Sequence, residues 1–147
     1  MAKNMKIGDS ASVTKVFTEE EVRQFATISG DTNPIHLDKD FAVTSVFGQR
    51  IVHGMLTASL FSALLGAKLF EDGAIYLGQT LTFKAPVLLG EEVTASVEII
   101  KIREDKPIVT LRAVCVNSKG QVVIEGESIV KVASLGTLLT LSINEAA

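Results

Sequence analysis

The chain has 147 residues, with 14 Lys and Arg against 17 Asp and Glu, and a net charge of −3. This length predicts a single domain over residues 1–147, since domains most often contain roughly 100–150 residues. A hydrophobic fraction of 47% with 21% charged residues excludes a disordered, collagen-like or coiled-coil chain. Because no dense cluster of Lys and Arg is present, we expect no nucleic-acid partner.

The sequence argues against an intramolecular disulfide and against a membrane-spanning helix. Cys115 is the single cysteine, which excludes an intramolecular disulfide and fits a reducing compartment. The longest uncharged stretch, residues 51–67, contains Gly, Ser, Thr and His, whereas a membrane-spanning helix needs about 20 mostly apolar residues. We therefore expect a cytoplasmic protein without a membrane span.

A strand and a helix are expected at the start of the chain. Residues 6–16 place apolar side chains among Ser and Thr, which predicts a strand. The segment Thr18-Glu-Glu-Glu21 fits a capping box, in which the first and fourth side chains each accept from the other residue's backbone N–H. It predicts a helix that ends at Gly30, since glycine is favoured at helix C-termini.

An irregular segment then leads into the central helix. Residues 31–50 are expected to be irregular, apart from a short helical turn capped by Asp38. Residues 54–67 are apolar on nearly every helix face, which is typical of a helix buried in the core.

The second half of the chain alternates apolar and polar residues with a period of two, which predicts β-strands joined by turns. The expected runs are residues 75–83, 93–99, 109–115 and 122–130. One buried helix and an antiparallel meander predict a two-layer α+β domain whose sheet wraps around the helix. Because one sheet leaves a flank of the helix uncovered, we expect a homodimer. Residues 134–147 form an additional tail, to which we assign no structure.

A carboxylate and an imidazole lie close together in the irregular segment. Asp31 precedes His36 by five residues, and we expect Asn33 and Pro34 between them to keep the backbone extended or turned rather than helical. Such a pair on a rigid scaffold can deliver and remove protons near neutral pH. The alternative is that Asp31 is a turn residue and that His36 packs on the surface.

Gly54 stands where the central helix is expected to begin. Backbone N–H groups of a first helical turn have no acceptor within the helix, so they can hold a developing enolate oxygen. The alternative is that Gly54 allows close packing. We interpret the preceding His53 as structural, although residue type alone does not rank it below His36.

Ser62 and Leu65 lie three residues apart on the expected central helix, which predicts that they share a face. Ser62 can hydrogen-bond a buried carboxylate such as Asp31, or it can bond the backbone carbonyl four residues earlier. Motifs for a nucleotide-binding loop and for a serine nucleophile elbow are absent from the sequence. Two histidines without metal-ligand spacing predict no metal site.

Residues 25–38, Phe-Ala-Thr-Ile-Ser-Gly-Asp-Thr-Asn-Pro-Ile-His-Leu-Asp, resemble the hydratase-2 motif of the MaoC-like (R)-specific enoyl-CoA hydratases. Further similar segments are residues 47–55, 59–66, 75–79, 83–86 and 103–107. The resemblance spans about residues 7–132 and is nearest to the short bacterial hydratases linked to polyhydroxyalkanoate synthesis. It implies a hot-dog fold, a homodimer, and reversible syn hydration of trans-2-enoyl-CoA to (R)-3-hydroxyacyl-CoA without a metal or redox cofactor.

The same resemblance implies a role for individual residues. Asp31 and His36 would be the catalytic pair, and the backbone N–H of Gly54 would donate to the thioester oxygen. Ser62 and Asn33 would support that pair. Leu65 and Val130 are expected to form the floor of the acyl pocket, and their medium size predicts short acyl chains.

Three alternative functions remain compatible with the sequence. The first is a (3R)-hydroxyacyl-acyl-carrier-protein dehydratase, which would run the same chemistry in reverse. The second is a thioesterase, and the third is a non-catalytic acyl-binding subunit. The presence of both Asp31 and His36 argues against the second and third, because neither function needs this pair.

Overall fold

The computed structural model describes residues 5–70 and 73–132, so the tail at 134–147 lies outside the described residues. The helices are α1 (Glu19–Ser29), α2 (Pro34–Leu37), α3 (Lys39–Val43) and α4 (Gly54–Ala63), and a π-helical segment (Leu64–Leu69) directly continues α4. The strands are β1 (Ser10–Val16), β2 (Ile75–Gln79), β3 (Thr82–Phe83), β4 (Glu92–Ile102), β5 (Ile108–Asn117) and β6 (Val122–Lys131). None of the helices in the described ranges is long and apolar enough to cross a membrane.

The strands form one antiparallel sheet in the order β1-β4-β5-β6-β2, with β3 also paired to β6. The meander of β4, β5 and β6 confirms the sequence prediction. The single run expected at 75–83 is wrong, because the chain leaves the ladder at Thr80. There the Thr80 hydroxyl, rather than a backbone carbonyl, accepts a hydrogen bond from the backbone N–H of Glu127 at 2.9 Å.

The core lies between the central helix and one face of this sheet. Alternate residues of β4 and β5 point to the core and are fully buried, which explains the period-two pattern. They pack with buried residues of the central helix, among them Phe61, Leu64 and Leu65. The expected α+β architecture is thus confirmed, and the central helix extends two residues beyond its predicted end at residue 67.

Capping residues determine where the helices between β1 and α4 begin and end. Thr18 and Glu21 form the predicted capping box, and Gly30 ends α1 with a φ of 80°. The expectation of a non-helical backbone is confirmed at Asn33, which has a ψ of 128°, and is wrong at Pro34, which begins α2 with the Asn33 side chain as its cap. Proline is favourable at a first helical position because its missing N–H would have no helical acceptor there.

Arg50 ties α1 to the segment that leads into α4. Its guanidinium binds both carboxylate oxygens of Glu19, at 2.9 Å for one of them, and it also donates to the Leu37 carbonyl at 3.3 Å. Arg23 donates to the same carboxylate at 2.9 Å. Hydrogen bonds from Arg50 and then Arg23 lower the pKa of Glu19 to about 2. The Glu19–Arg50 pair therefore joins α1 to the segment before α4, and the bond from Arg50 to Leu37 adds the end of α2.

Glu19→Gln is expected to lower the free energy of unfolding at neutral pH, by a modest amount because the carboxylate is half exposed. The folded-state pKa lies below the ordinary 4.5, so the stabilisation is present above pH 4.5 and is lost as the pH falls towards 2. Urea unfolding of both proteins across this range measures the difference. Glu20→Gln is the control, since Glu20 accepts a long 3.5 Å bond from Gln24. A difference for Glu19→Gln that does not change with pH would contradict the assignment.

Gly126 of β6 lies against the backbone at Thr80. A Cβ atom at Gly126 would lie 1.8 Å from the Thr80 carbonyl oxygen, and a backbone atom cannot rotate away as a side chain can. We expect Gly126→Ala to lower the free energy of unfolding by about 1–3 kcal/mol or more, as overpacking does. Gly78→Ala in β2 is the matched control, because the nearest atom to its Cβ would lie 4.0 Å away on Ile129. Equal urea midpoints for the two variants would show that the backbone at Thr80 moves aside freely.

Candidate active site

A cavity of about 460 Å³ opens beside the N-terminus of α4. Its walls come from Asp31, the first turn of α4, the Phe83–Val87 segment and Ile124 of β6. Most of this lining is apolar, while Asp31, His53, Thr57 and Lys84 add polar groups. An apolar cavity of this size with a few convergent polar groups is typical of a small-molecule site.

The carboxylate of Asp31 is held by its own loop. The Asn33 backbone N–H donates to its Oδ1 at 3.2 Å, and the Asp31 backbone N–H donates to the Ser29 hydroxyl at 3.1 Å. Asp31 is half exposed, and its Oδ2 lies 3.9 Å from Nε2 of His36. That distance is too long for a direct hydrogen bond, and a water molecule beside the pair can reach both atoms.

His36 is buried, and its hydrogen bond determines its tautomer. Its Nδ1 lies 2.7 Å from the carbonyl oxygen of Ile51, which can only accept, so Nδ1 carries the proton and Nε2 has the lone pair. Burial lowers the pKa of His36, and the nearby charge of His53 lowers it further. The Ile51 bond and the charge of Asp31 act in the opposite direction. At neutral pH the imidazole is therefore neutral, with its basic nitrogen towards Asp31.

The structure brings His53 into the same group. Its Nε2 lies 3.0 Å from the Asp31 carbonyl oxygen, and its ring stacks on His36 with centroids 3.8 Å apart. Sequence spacing could not show this contact, because 17 residues separate the two histidines. The only signal was the position of His53 immediately before the glycine that begins α4.

Asp31, His36 and His53 each have one potential metal-ligand atom within 4.8 Å of the others. Zinc ligands would each lie about 2.0–2.2 Å from the ion. Two of the four imidazole nitrogens are bonded to backbone carbonyls, and the rings are stacked face to face. Both features would have to change before these residues held an ion, so the arrangement suits proton transfer better than metal binding.

Gly54 is the first residue of α4, so its N–H has no acceptor within the helix. It also packs closely, since a Cβ atom there would lie 2.7 Å from the Phe83 ring. The close-packing interpretation therefore holds, and it is compatible with a backbone N–H donor at the same residue.

Three other residues from the sequence analysis lie away from the cavity. Ser62 is exposed, does not line this cavity and has no hydrogen bond to Asp31 within the described chain, whereas Leu65 is buried. Leu65 and Val130 are buried in the core between helix and sheet and do not line this cavity.

Comparison with known proteins identifies the family. The MaoC like domain model matches residues 3–119. An (R)-specific enoyl-CoA hydratase of Aeromonas caviae is 51% identical over 130 residues, which cover 88% of this chain and 97% of the relative. A protein of the same name from Rhodospirillum rubrum is 47% identical, covering 90% and 92%.

A solved structure with a similar fold is the (R)-hydratase from A. caviae involved in PHA biosynthesis. It superposes with a TM-score of 0.87 at 50% identity, covering 89% of this chain and 99% of that one. The sheet and central helix described above thus form the hot-dog fold that the resemblance implied. With the domain match and these relatives, the chain belongs to the MaoC-like family.

Proposed function

We propose that this protein is an (R)-specific enoyl-CoA hydratase, which adds water reversibly and syn to a trans-2-enoyl-CoA and forms an (R)-3-hydroxyacyl-CoA. The observation that carries the proposal is the Asp31–His36 pair, of which Asp31 lines an apolar cavity beside the N-terminus of α4 and His36 lies directly behind it at 3.9 Å. The high identity to enzymes named as (R)-specific enoyl-CoA hydratases supports this reaction over others of the same fold.

In the proposed mechanism, a water molecule lies between Oδ2 of Asp31 and Nε2 of His36. The pair accepts one proton from the water as its oxygen bonds to Cβ of the substrate, and the double-bond electrons move towards the thioester oxygen. A proton from the pair is then delivered to Cα, so that one water is added overall and the pair is restored. Because both groups lie on one side of the substrate, the addition is syn.

The thioester oxygen becomes negative during this step. Its proposed partner is the free N–H of Gly54 at the positive end of the α4 dipole. The thioester would therefore lie across the first turn of α4, with Cβ directed towards Asp31, which lines the same cavity.

No cofactor takes part in this scheme, because the attack of the water oxygen on Cβ and two proton transfers account for every bond that forms or breaks. CoA enters only as part of the substrate. We also propose that the protein is a cytoplasmic homodimer. The exposed apolar residues Ile75 and Leu77 on the edge strand β2 support an interface with a second copy. The free thiol of Cys115 fits a reducing compartment.

The preferred acyl chain is proposed to be short, and the product to supply monomers for polyhydroxyalkanoate synthesis from β-oxidation. The chain would extend from Thr57, which lines the cavity, along the same face of the central helix towards Leu65, two turns further on. Leu65 and Val130 close this route, because both are fully packed between helix and sheet.

The experiment that tests the function is hydration of crotonyl-CoA by the purified protein, with chirality analysis of the 3-hydroxybutyryl-CoA formed. Rapid formation of the (R) product in the presence of EDTA would support the proposal. The same acyl group on a carrier protein tests the dehydratase alternative. Release of free CoA thiol would indicate a thioesterase, and binding without turnover an acyl-binding subunit.

Asp31→Asn is expected to reduce the hydration rate by at least about 100-fold, because general acid–base catalysis contributes at least that much. The amide oxygen of Asn can still accept the Asn33 N–H, so the melting temperature should change little. His36→Ala should lose a similar factor. Asp40→Asn on α3 is the control for the substitution itself and should keep the wild-type rate. Near-wild-type activity in either site variant would reject the catalytic pair.

Leu65→Ala is expected to raise activity on longer enoyl-CoA substrates relative to crotonyl-CoA, because it opens the route between helix and sheet. The same change should lower the free energy of unfolding by about 2–5 kcal/mol, as for other buried leucines. Rates on a series of enoyl-CoA chain lengths, together with urea unfolding, measure both effects. An unchanged chain-length profile in a folded variant would show that the acyl group does not reach Leu65.

A further inference from the structure

His53 contacts both members of the catalytic pair, although the mechanism above gives it no step. Because the Asp31 carbonyl can only accept, Nε2 of His53 carries a proton and donates to it at 3.0 Å. The His53 ring stacks on His36 at an interplanar angle of 26°, and the edge contact with Phe25 holds it from another side at 4.8 Å. One side chain thus touches the backbone of one catalytic residue and the ring of the other.

A purely structural role does not explain a histidine at this position. His53 is only 2% exposed, and its Nδ1 is buried without a hydrogen-bond partner in the described structure. A buried acceptor without a partner is unfavourable. Phenylalanine could occupy the same space and stack in the same way without this cost. The polar ring is therefore explained better by what it does to Asp31 and His36.

Two titratable side chains change the pKa of His36, and they lie on different segments of the chain. Asp31 follows α1, and its charge raises the pKa of His36, whereas His53 precedes α4, and its charge lowers it. Burial lowers the same pKa, and the bond from His36 to the Ile51 carbonyl raises it. His53 consequently favours the neutral imidazole that the proposed reaction needs.

We propose that His53 is a positioning residue of the hydration site, which orients the Asp31 loop through its N–H and the His36 ring through stacking. The expected loss of rate rests on the proposed function, whereas the contacts of His53 do not depend on it. Displacement of a catalytic group by about 1 Å can cost about 100-fold in rate, so a side chain that fixes two such groups has a large effect without touching the reacting atoms.

Two substitutions separate the contacts of His53. His53→Phe keeps a stacked ring and removes the N–H donor, while His53→Gln keeps a donor and removes the ring. We expect each variant to lower kcat on crotonyl-CoA by about ten- to a hundredfold with little change in KM. His53→Phe should melt at or above the wild-type temperature. Val22→Ala, which opens a cavity at a buried position of α1, is the control that loses stability and keeps kcat.

Nuclear magnetic resonance provides a readout that does not depend on activity. The chain contains two histidines, so either His53 variant of the untagged protein leaves His36 as the only imidazole signal. Its pKa should rise relative to wild type, because a second imidazole that can become protonated no longer stacks against it and opposes its charging.

Wild-type kcat in both variants, or a His36 titration that does not move in either of them, would overturn the positioning role. A loss of kcat that merely follows the loss of stability, as measured by thermal melting, would overturn it as well. If the wild-type protein itself fails to hydrate enoyl-CoA, the proposed function fails. The NMR titration then still decides whether His53 changes the pKa of His36.

Discussion

The burial of an apolar helix against one face of a twisted antiparallel sheet is the constraint on which the rest of this structure depends. The α4 helix and its π-helical continuation have to remove their apolar residues from water, and the inward residues of β4 and β5 supply the surface for this. Once the helix is packed, its N-terminus has a fixed place at the margin of the sheet. His53, Gly54 and Thr57 are thereby brought to the wall of one cavity.

The loop that carries Asp31 is held at the same cavity by local hydrogen bonds more than by packing. Helix caps are formed by the side chains of Thr18, Asn33 and Asp38, and only four residues separate α1 from α2 and one separates α2 from α3. Arg50 and Glu19 then join the start of this segment to its end. A loop that carries an exposed carboxylate can thus be rigid without being buried.

Two backbone carbonyls determine which ring nitrogen carries the proton in each of the two histidines. The Ile51 carbonyl assigns the proton of His36 to Nδ1, and the Asp31 carbonyl assigns the proton of His53 to Nε2. Neither carbonyl is itself reactive, yet together they leave a basic nitrogen next to Asp31. The same hydrogen bonds bring one polar atom each of Asp31, His36 and His53 within 4.8 Å of the others.

The sequence by itself determined those features that depend on neighbours along the chain. The capping box at Thr18, the end of α1 at Gly30, the buried central helix and the alternation of β4 to β6 follow from short-range pattern, and the motif that contains Asp31 and His36 gave the family. At Pro34 the same kind of reasoning failed, because proline at the first position of a helix is favourable, whereas proline inside a helix is not.

Only the tertiary structure decided which distant residues meet. The packing of α4 and its π-helical continuation against the sheet decides that His53 stacks on His36, that Ser62 is exposed and that Leu65 is buried. The break at Thr80 depends on a side-chain bond to another strand. Local propensity contains no information on these contacts, because the free energy that selects them comes from packing and hydrogen bonding between segments far apart in the chain.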